Sequence, residues 1–331
     1  MSLTTFFVEF AKLLNVQTIF NCLWATGFGI IVGMLPGLTA TMGVALLTGL
    51  TFRFASDQVV VILISVYVGA IYGGSRSAIL LNIPGTPANA ATCVDGNPLA
   101  RAGKAGYAIG LATTSSAIGT FIGLVALAVF SPMLGRIALS FKSWEFFTLA
   151  IFGIVICGNL TAPKDPLKGW VAGLLGLLLS QIGQESIGAY PRFTFGTVQL
   201  SGGLSLIPVL VGTYGVSEII GVMKMPVDYT VRTKVERVVP KLSDILDYWR
   251  TILRSGLIGV IVGAIPGVGE DTAAWISYDF AKRRSKKPEE FGHGSYEGLI
   301  ASDTGNNACI GGAIIPVLTL AIPGSAPAAV L

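Results

Sequence analysis

The chain has 331 residues, 52% hydrophobic and only 12% charged, with a net charge of +4 and a mean hydropathy of +0.72. A soluble domain carries about 25% charged residues to face water, so this composition excludes a soluble globular protein and places the chain in a lipid bilayer. The single histidine excludes an HExxH zinc site and weighs against a Ser-His hydrolase, the four cysteines lack CxxC spacing, and so small a basic excess is no nucleic-acid signature.

Apolar runs near the ~20 residues that cross a bilayer recur along the chain. The first, 16–34, has neither a basic leader before it nor a small-residue cleavage site after it, and is expected to be a retained helix. It breaks at Pro36-Gly37, and a shorter apolar piece, 40–52, follows. The run 58–82 ends at Asn82-Ile83-Pro84-Gly85, and spans are expected at 106–131, 143–160, 167–183 and 202–223. Residues 224–249, with both charge signs and two prolines, read as a cytoplasmic connector with an interfacial helix at 241–250. A span at 250–265 breaks at Pro266-Gly267 and is followed by a short apolar piece, 271–281. The basic loop "AKRRSKKPEEFGHG" reads as a topogenic anchor, with anionic-lipid or partner binding as the alternative. The last run, 308–322, ends at Pro323-Gly324. Barrel-type alternation is absent, so the fold class is an all-α polytopic membrane protein, and its 42 glycines suit close helix packing in lipid.

Two stretches match. "GIIVGMLPG" at 29–37 and "GVIVGAIPG" at 259–267 share six of nine residues, and "NIPGTPANA" at 82–90 parallels "AIPGSAPAA" at 321–329. The prolines within each pair of breaks lie 48 and 57 residues apart. With residues 1–15 outside the cell and each Pro-Gly element returning to its own side, sixteen Lys and Arg fall in the cytoplasm and five outside, and Arg76 falls within the membrane. That orientation obeys the positive-inside rule. An odd number of crossings then separates the copies, giving an inverted-topology repeat of Pro-Gly-broken, re-entrant hairpins, an architecture of secondary transporters. The expected organisation is a first transmembrane repeat at 1–223, the connector at 224–249 and a second, inverted repeat at 250–331. By symmetry the second repeat is truncated, with about 150 residues expected beyond it.

In hydrocarbon each freed backbone N–H or C=O costs several kcal/mol. Matched breaks therefore point to a cavity in which half-helix N-termini meet anions and unwound carbonyls meet cations. Polar residues gather there: Thr39 and Thr41; Ser75, Arg76, Ser77, Asn82, Thr86 and Asn89; Gly269, Glu270, Asp271 and Thr272; and Asp303, Thr304, Asn306 and Asn307, expected to begin the helix leading to Pro323-Gly324-Ser325. Glu270 and Asp271 either face the cavity or merely complement a helix dipole. Arg76 meets a substrate carboxylate, snorkels, or pairs with Glu218.

The strings "GMLPGLTATMGVALL", "YVGAIYGGSRSAILLNIPGTPANAATCVDGNPLARAGKAGYAIG" and "NNACIGGAIIPVLTLAIPGS" resemble the large membrane subunit, the TctA-type permease, of the bacterial tripartite tricarboxylate transporters, along essentially the whole chain. The resemblance implies a multi-pass subunit of a carboxylate importer in the bacterial cytoplasmic membrane. It implies a small four-helix membrane subunit and a periplasmic solute-binding protein as partners, no cofactor, and a Na⁺ or H⁺ gradient as the drive. The family pattern "PEAANNA" is "SDTGNNA" here, so Asp303 stands for a Glu and Ser302 for a Pro, and Arg76 is a departure beside "GGS". In an alternating-access reading, Gly37, Thr39, Thr41, Ser75, Arg76, Asn82, Gly85, Thr86, Gly267, Gly269, Asn306, Asn307, Gly324 and Ser325 bind the substrate. Carbonyls at Pro36, Pro84, Pro266 and Pro323, together with Asp303, hold the coupling cation. The rival readings are a channel, a non-transporting membrane scaffold and an intramembrane aspartyl hydrolase; the last lacks the GxGD pattern.

Overall fold

The computed structural model describes residues 11, 13–51, 53–145, 147–148, 151, 166–185, 190–204, 209, 220 and 238–331. The expected spans 143–160 and 202–223 lie largely outside the described residues, and positions 224–237, Glu218 and Cys157 lie wholly outside them.

Helix α1 (Val16–Met34) opens at Asn15, whose carboxamide oxygen accepts the Thr18 N–H at 2.8 Å. The chain turns at Pro36-Gly37, where Gly37 takes φ 97°, a left-handed conformation that costs glycine little. Thr39 Oγ1 then accepts the Met42 N–H at 3.2 Å, and α2 (Ala40–Thr51) begins. Helix α3 (Ser56–Leu81) ends on Asn82 in the left-handed region, followed by the first Ile-Pro-Gly loop. A 3₁₀ turn at Pro87–Asn89, α4 (Ala90–Leu99), a π turn at Ala100–Lys104 and the long α5 (Ala105–Ala138) complete the first half as described. Helix α6 (Pro166–Ser180) and a two-residue strand pair, Gly183–Gln184 with Pro191–Arg192, lie beyond it.

The second half repeats the local design. Helix α7 (Leu242–Asp247) leads to α8 (Trp249–Gly263), the chain turns at Pro266-Gly267, and α9 (Gly269–Arg284) begins. Helix α10 (Tyr296–Leu320) ends on Ala321, again left-handed, before the second Ile-Pro-Gly loop. The expected helix at 241–250 is two helices, because Tyr248 leaves helical geometry between them. The expected span 308–322 is only the apolar end of α10, so Asp303, Thr304, Asn306 and Asn307 lie in mid-helix and not at its start. Hydropathy missed the first half because it is polar, yet every residue from Gly298 to Pro316 is buried.

Backbones meet directly through small residues. A Cβ at Gly33 would collide with the Ala70 carbonyl of α3, and one at Gly263 with the Cys309 carbonyl of α10. Helix α10 is the hub, packed against α5, α8 and α9. Val44, Ile62, Val66, Tyr67 and Ile71 of the first half share one core with Ile310, Ile314 and Ala328 of the second.

Polarity runs inside out. Phe20, Leu23 and Ile31 of α1 and Phe121, Leu124 and Val129 of α5 are exposed. Asn21 and Gln58 are buried and bonded to each other at 2.9 Å. Among the described residues, three helical stretches are long and apolar enough to cross a membrane: Val16–Met34, Ser56–Leu81 and Pro87–Ala138. An apolar exterior around polar contacts is the arrangement that hydrocarbon stabilises.

Candidate functional site

Segments that follow all four Pro-Gly breaks line one cavity of about 350 Å³. Its walls are Thr39 to Thr41 after the first break, Thr86 to Ala88 after the second, Gly267 to Thr272 at the third and Ala326-Pro327 after the fourth, with Ile71 of α3. Helices α2 and α9 both begin at this wall, so their N–H groups and positive dipole ends open onto it. The hydroxyls of Thr39, Thr41, Thr86 and Thr272 and the carboxylates of Glu270 and Asp271 complete a polar lining.

Of the residues the sequence nominated, Thr39, Thr41, Thr86, Gly267 and Gly269 line the cavity. Pro36, Gly37, Pro84, Gly85, Pro266, Pro323, Gly324 and Ser325 build the turns behind it. Gly85 donates its N–H to the Gly74 carbonyl at 3.3 Å, and Gly324 does the same to Ala313 at 3.4 Å. A Cβ on Gly85 would strike the Gly33 carbonyl, and one on Gly324 the Gly263 carbonyl. Each Ile-Pro-Gly loop is thereby seated on the glycine that precedes the Pro-Gly turn of its own half. Ser325 Oγ lies 2.7 Å from Tyr67 Oη, linking the halves. Asn82 is elsewhere, in a surface hollow with Cys93, Asn97 and Arg101.

Ser75, Arg76, Asp303, Asn306 and Asn307 are absent from the cavity wall and belong to buried polar structure behind it. The Arg76 guanidinium lies 3.4 Å from the centre of the Tyr72 ring. It donates to the Tyr72 carbonyl, to Ser75 Oγ at 2.7 Å and to Thr113 Oγ1 at 2.5 Å. Arg76 is thus held by the protein itself, with Asp303 near enough for their charges to attract. Asp303 Oδ1 accepts from Thr92 Oγ1 at 2.9 Å. Asn306 donates to the carbonyl of Ala88, a wall residue, at 3.1 Å, and Asn307 donates to the Asp303 carbonyl and to Asn306 Oδ1. These amides position the wall from one layer back.

Glu270, Asp271 and Thr272 also line the wall, although the sequence reading names them without assigning them to the substrate site. A carboxylate in the first turn of a helix ordinarily complements the dipole at the surface, which made its position ambiguous. Here Glu270 is 5% exposed and lines the cavity, while its neighbour Asp271 is exposed at the rim. Its Oε1 has no hydrogen-bond partner among the described residues. Among those residues, no cluster of three or more His, Cys, Asp or Glu is grouped to hold a metal ion. The free thiols Cys22, Cys93 and Cys309 do not line the cavity.

Comparison with known proteins gives a coherent relationship. The model of the tripartite tricarboxylate transporter TctA family matches residues 19–331. An uncharacterized 52.8 kDa protein in the TAR-I ttuC' 3' region of Agrobacterium vitis is 36% identical over 317 residues, covering 95% of this chain and 62% of the relative. A second Agrobacterium vitis protein, in the TAR-II ttuC' 3' region, is 45% identical over 65 residues, 20% of this chain and 27% of that relative. The chain therefore spans about three-fifths of the longer match. No solved structure matches it.

Proposed function

Because the chain belongs to the tripartite tricarboxylate transporter TctA family, we propose that it is the substrate-conducting subunit of a secondary importer of small di- or tricarboxylates. In this reading it sits in the bacterial cytoplasmic membrane beside a small four-helix subunit. A periplasmic solute-binding protein feeds it, a Na⁺ or H⁺ gradient drives it, and it performs no covalent chemistry on its cargo.

The observation that carries the proposal is the cavity lined by the segments that follow all four chain breaks. Opening a helix in hydrocarbon leaves main-chain groups bare, and convergence of four openings on one polar hollow is what a transported anion requires. Carboxylate oxygens are received by the N-termini of α2 and α9 and by the threonine hydroxyls. A coupling cation would take its oxygen ligands from main-chain carbonyls near the breaks.

The matched halves support alternating access. Turns at Gly37 and Gly267, left-handed ends at Asn82 and Ala321, and the pairs Gly85–Gly33 and Gly324–Gly263 correspond one to one. Related halves facing opposite sides of a membrane give a transporter two states of similar energy, with the site open to one side and then the other. Movement of the broken hairpins as a unit, in the manner of an elevator, is the motion favoured.

The test is uptake of labelled carboxylates into proteoliposomes holding the complete complex and its solute-binding protein, under an imposed Na⁺ or H⁺ gradient. Accumulation against the solute's own gradient supports the proposal. Equilibration at the same rate with and without the ion gradient identifies a channel instead.

A further inference from the structure

Glu270 stands out among the cavity groups. The wall is otherwise suited to an anion, with two helix N-termini and several hydroxyls. A buried carboxylate in that wall opposes an anionic cargo held a few ångströms away. The surroundings do not neutralise it. On its own helix the nearest charged group is Asp271, another acid. From α10 the group facing it is the Cys309 thiol, and from the last loop the Ser325 hydroxyl, itself bonded to Tyr67 of α3. The other charged residues packed around α9 gather at its far end. There Asp95 of α4 meets Tyr278, and Arg250 and Arg254 of α8 lie near Arg284, Lys287 and Glu290. Arg76 lies in the layer behind the wall, where it donates to Ser75 and Thr113 and attracts Asp303. Among the described residues no cation offsets Glu270, and its Oε1 accepts no hydrogen bond.

Resting on the carboxylate-importer reading above, we infer that Glu270 is the proton carrier of the transport cycle: its carboxyl is protonated while the anionic cargo occupies the cavity and ionised once the cargo has left. An O–H bond to a Glu270 oxygen forms with a proton taken from periplasmic water, and the same bond breaks when the proton passes to cytoplasmic water. No electron moves and no other reactant is needed. A single proton removes the opposing charge without further ligands. Linkage makes the effect reciprocal: protonation strengthens cargo binding by the same factor by which cargo strengthens protonation. Cargo affinity therefore falls as pH rises through the titration of Glu270.

The experiment uses the complete complex in proteoliposomes, comparing the wild type with Glu270→Gln. Two rates are read: accumulation driven by an inward proton gradient in Na⁺-free buffer, and exchange of labelled for unlabelled carboxylate with no gradient. The ratio of accumulation to exchange is expected to fall at least about tenfold in the variant, within the range of ordinary coupling strengths, and the remaining exchange to lose its dependence on pH. An unchanged ratio overturns the inference, as does wild-type accumulation that responds to Na⁺ alone. Wild-type complex that exchanges no carboxylate overturns the importer reading itself, a distinguishable result. If Glu270→Gln does not assemble, the wild type is labelled with dicyclohexylcarbodiimide, which attacks protonated carboxyls in apolar surroundings. Mass spectrometry is expected to find the adduct on Glu270, declining as pH rises. No adduct there at any pH contradicts the assignment.

Discussion

Tyr67 and Ser325 face each other at 2.7 Å, hydroxyl to hydroxyl, although 258 positions separate them in the chain. Tyr67 is fully buried in α3 and Ser325 follows the last Pro-Gly break. This bond ties the first half to the loop that closes the cavity. Tyr67→Phe keeps the ring and removes the partner, so it is expected to lower stability by about 1–2 kcal/mol. Ser325→Ala should cost a similar amount, and the double variant less than the sum. Thermal unfolding of the purified protein in detergent checks the cycle.

The close backbone contacts permit a sharper expectation. Gly33→Ala and Gly263→Ala each drive a methyl into a carbonyl oxygen of the neighbouring helix. Neither backbone can yield without moving a whole helix, so each change is expected to cost more than about 3 kcal/mol. Gly27→Ala, where an added Cβ meets nothing within 4 Å, is the control. Yield of monodisperse protein after extraction separates the two classes.

Asp95 clasps the loop before α10. Its Oδ1 accepts the N–H groups of Gly292, Gly294 and Ser295 at 2.8, 3.0 and 2.9 Å. Asp95→Ala leaves those donors unpaired and is expected to destabilise the protein by about 2–3 kcal/mol. Limited proteolysis should then cut near 292–294, a site protected in the wild type.

Arg76 and Asp303 are both buried, near enough for their charges to attract. Removing one of two attracting buried charges leaves the other uncompensated, and removing both costs less. Arg76→Met should therefore be destabilising and Arg76→Met with Asp303→Asn substantially rescued, as judged by melting temperature. If Arg76 instead holds the cargo, the double variant recovers stability and still fails to bind carboxylate.

Much of this was legible in the chain itself. The breaks at Pro36-Gly37 and Pro266-Gly267 could be read because proline and glycine act locally, and α1, α3 and α5 because their outer faces are continuously apolar. The first half of α10 was not legible. Asp303, Asn306 and Asn307 read as the start of a helix, because hydropathy does not count so polar a stretch as part of a span, whereas α5, α8 and α9 bury it in mid-helix. The site divided in the same way. Thr39, Thr86 and Gly269 reach the wall because each closely follows a break, whereas Arg76 and the two asparagines lie one layer behind it, a difference of side-chain direction that spacing does not encode. Glu270 had a local explanation, the helix dipole, that concealed its place in the cavity.

The account rests on four helix interruptions, contributed by two oppositely oriented halves, closing around one anion site. The most direct measurement is a cryo-electron microscopy map of the complete complex in a lipid nanodisc with a transported carboxylate present. The account predicts ligand density among Thr39, Thr86, Gly269 and Ala326, with Gly37 and Gly267 entering from opposite leaflets. Ligand density elsewhere, or both turns entering from the same leaflet, would contradict it.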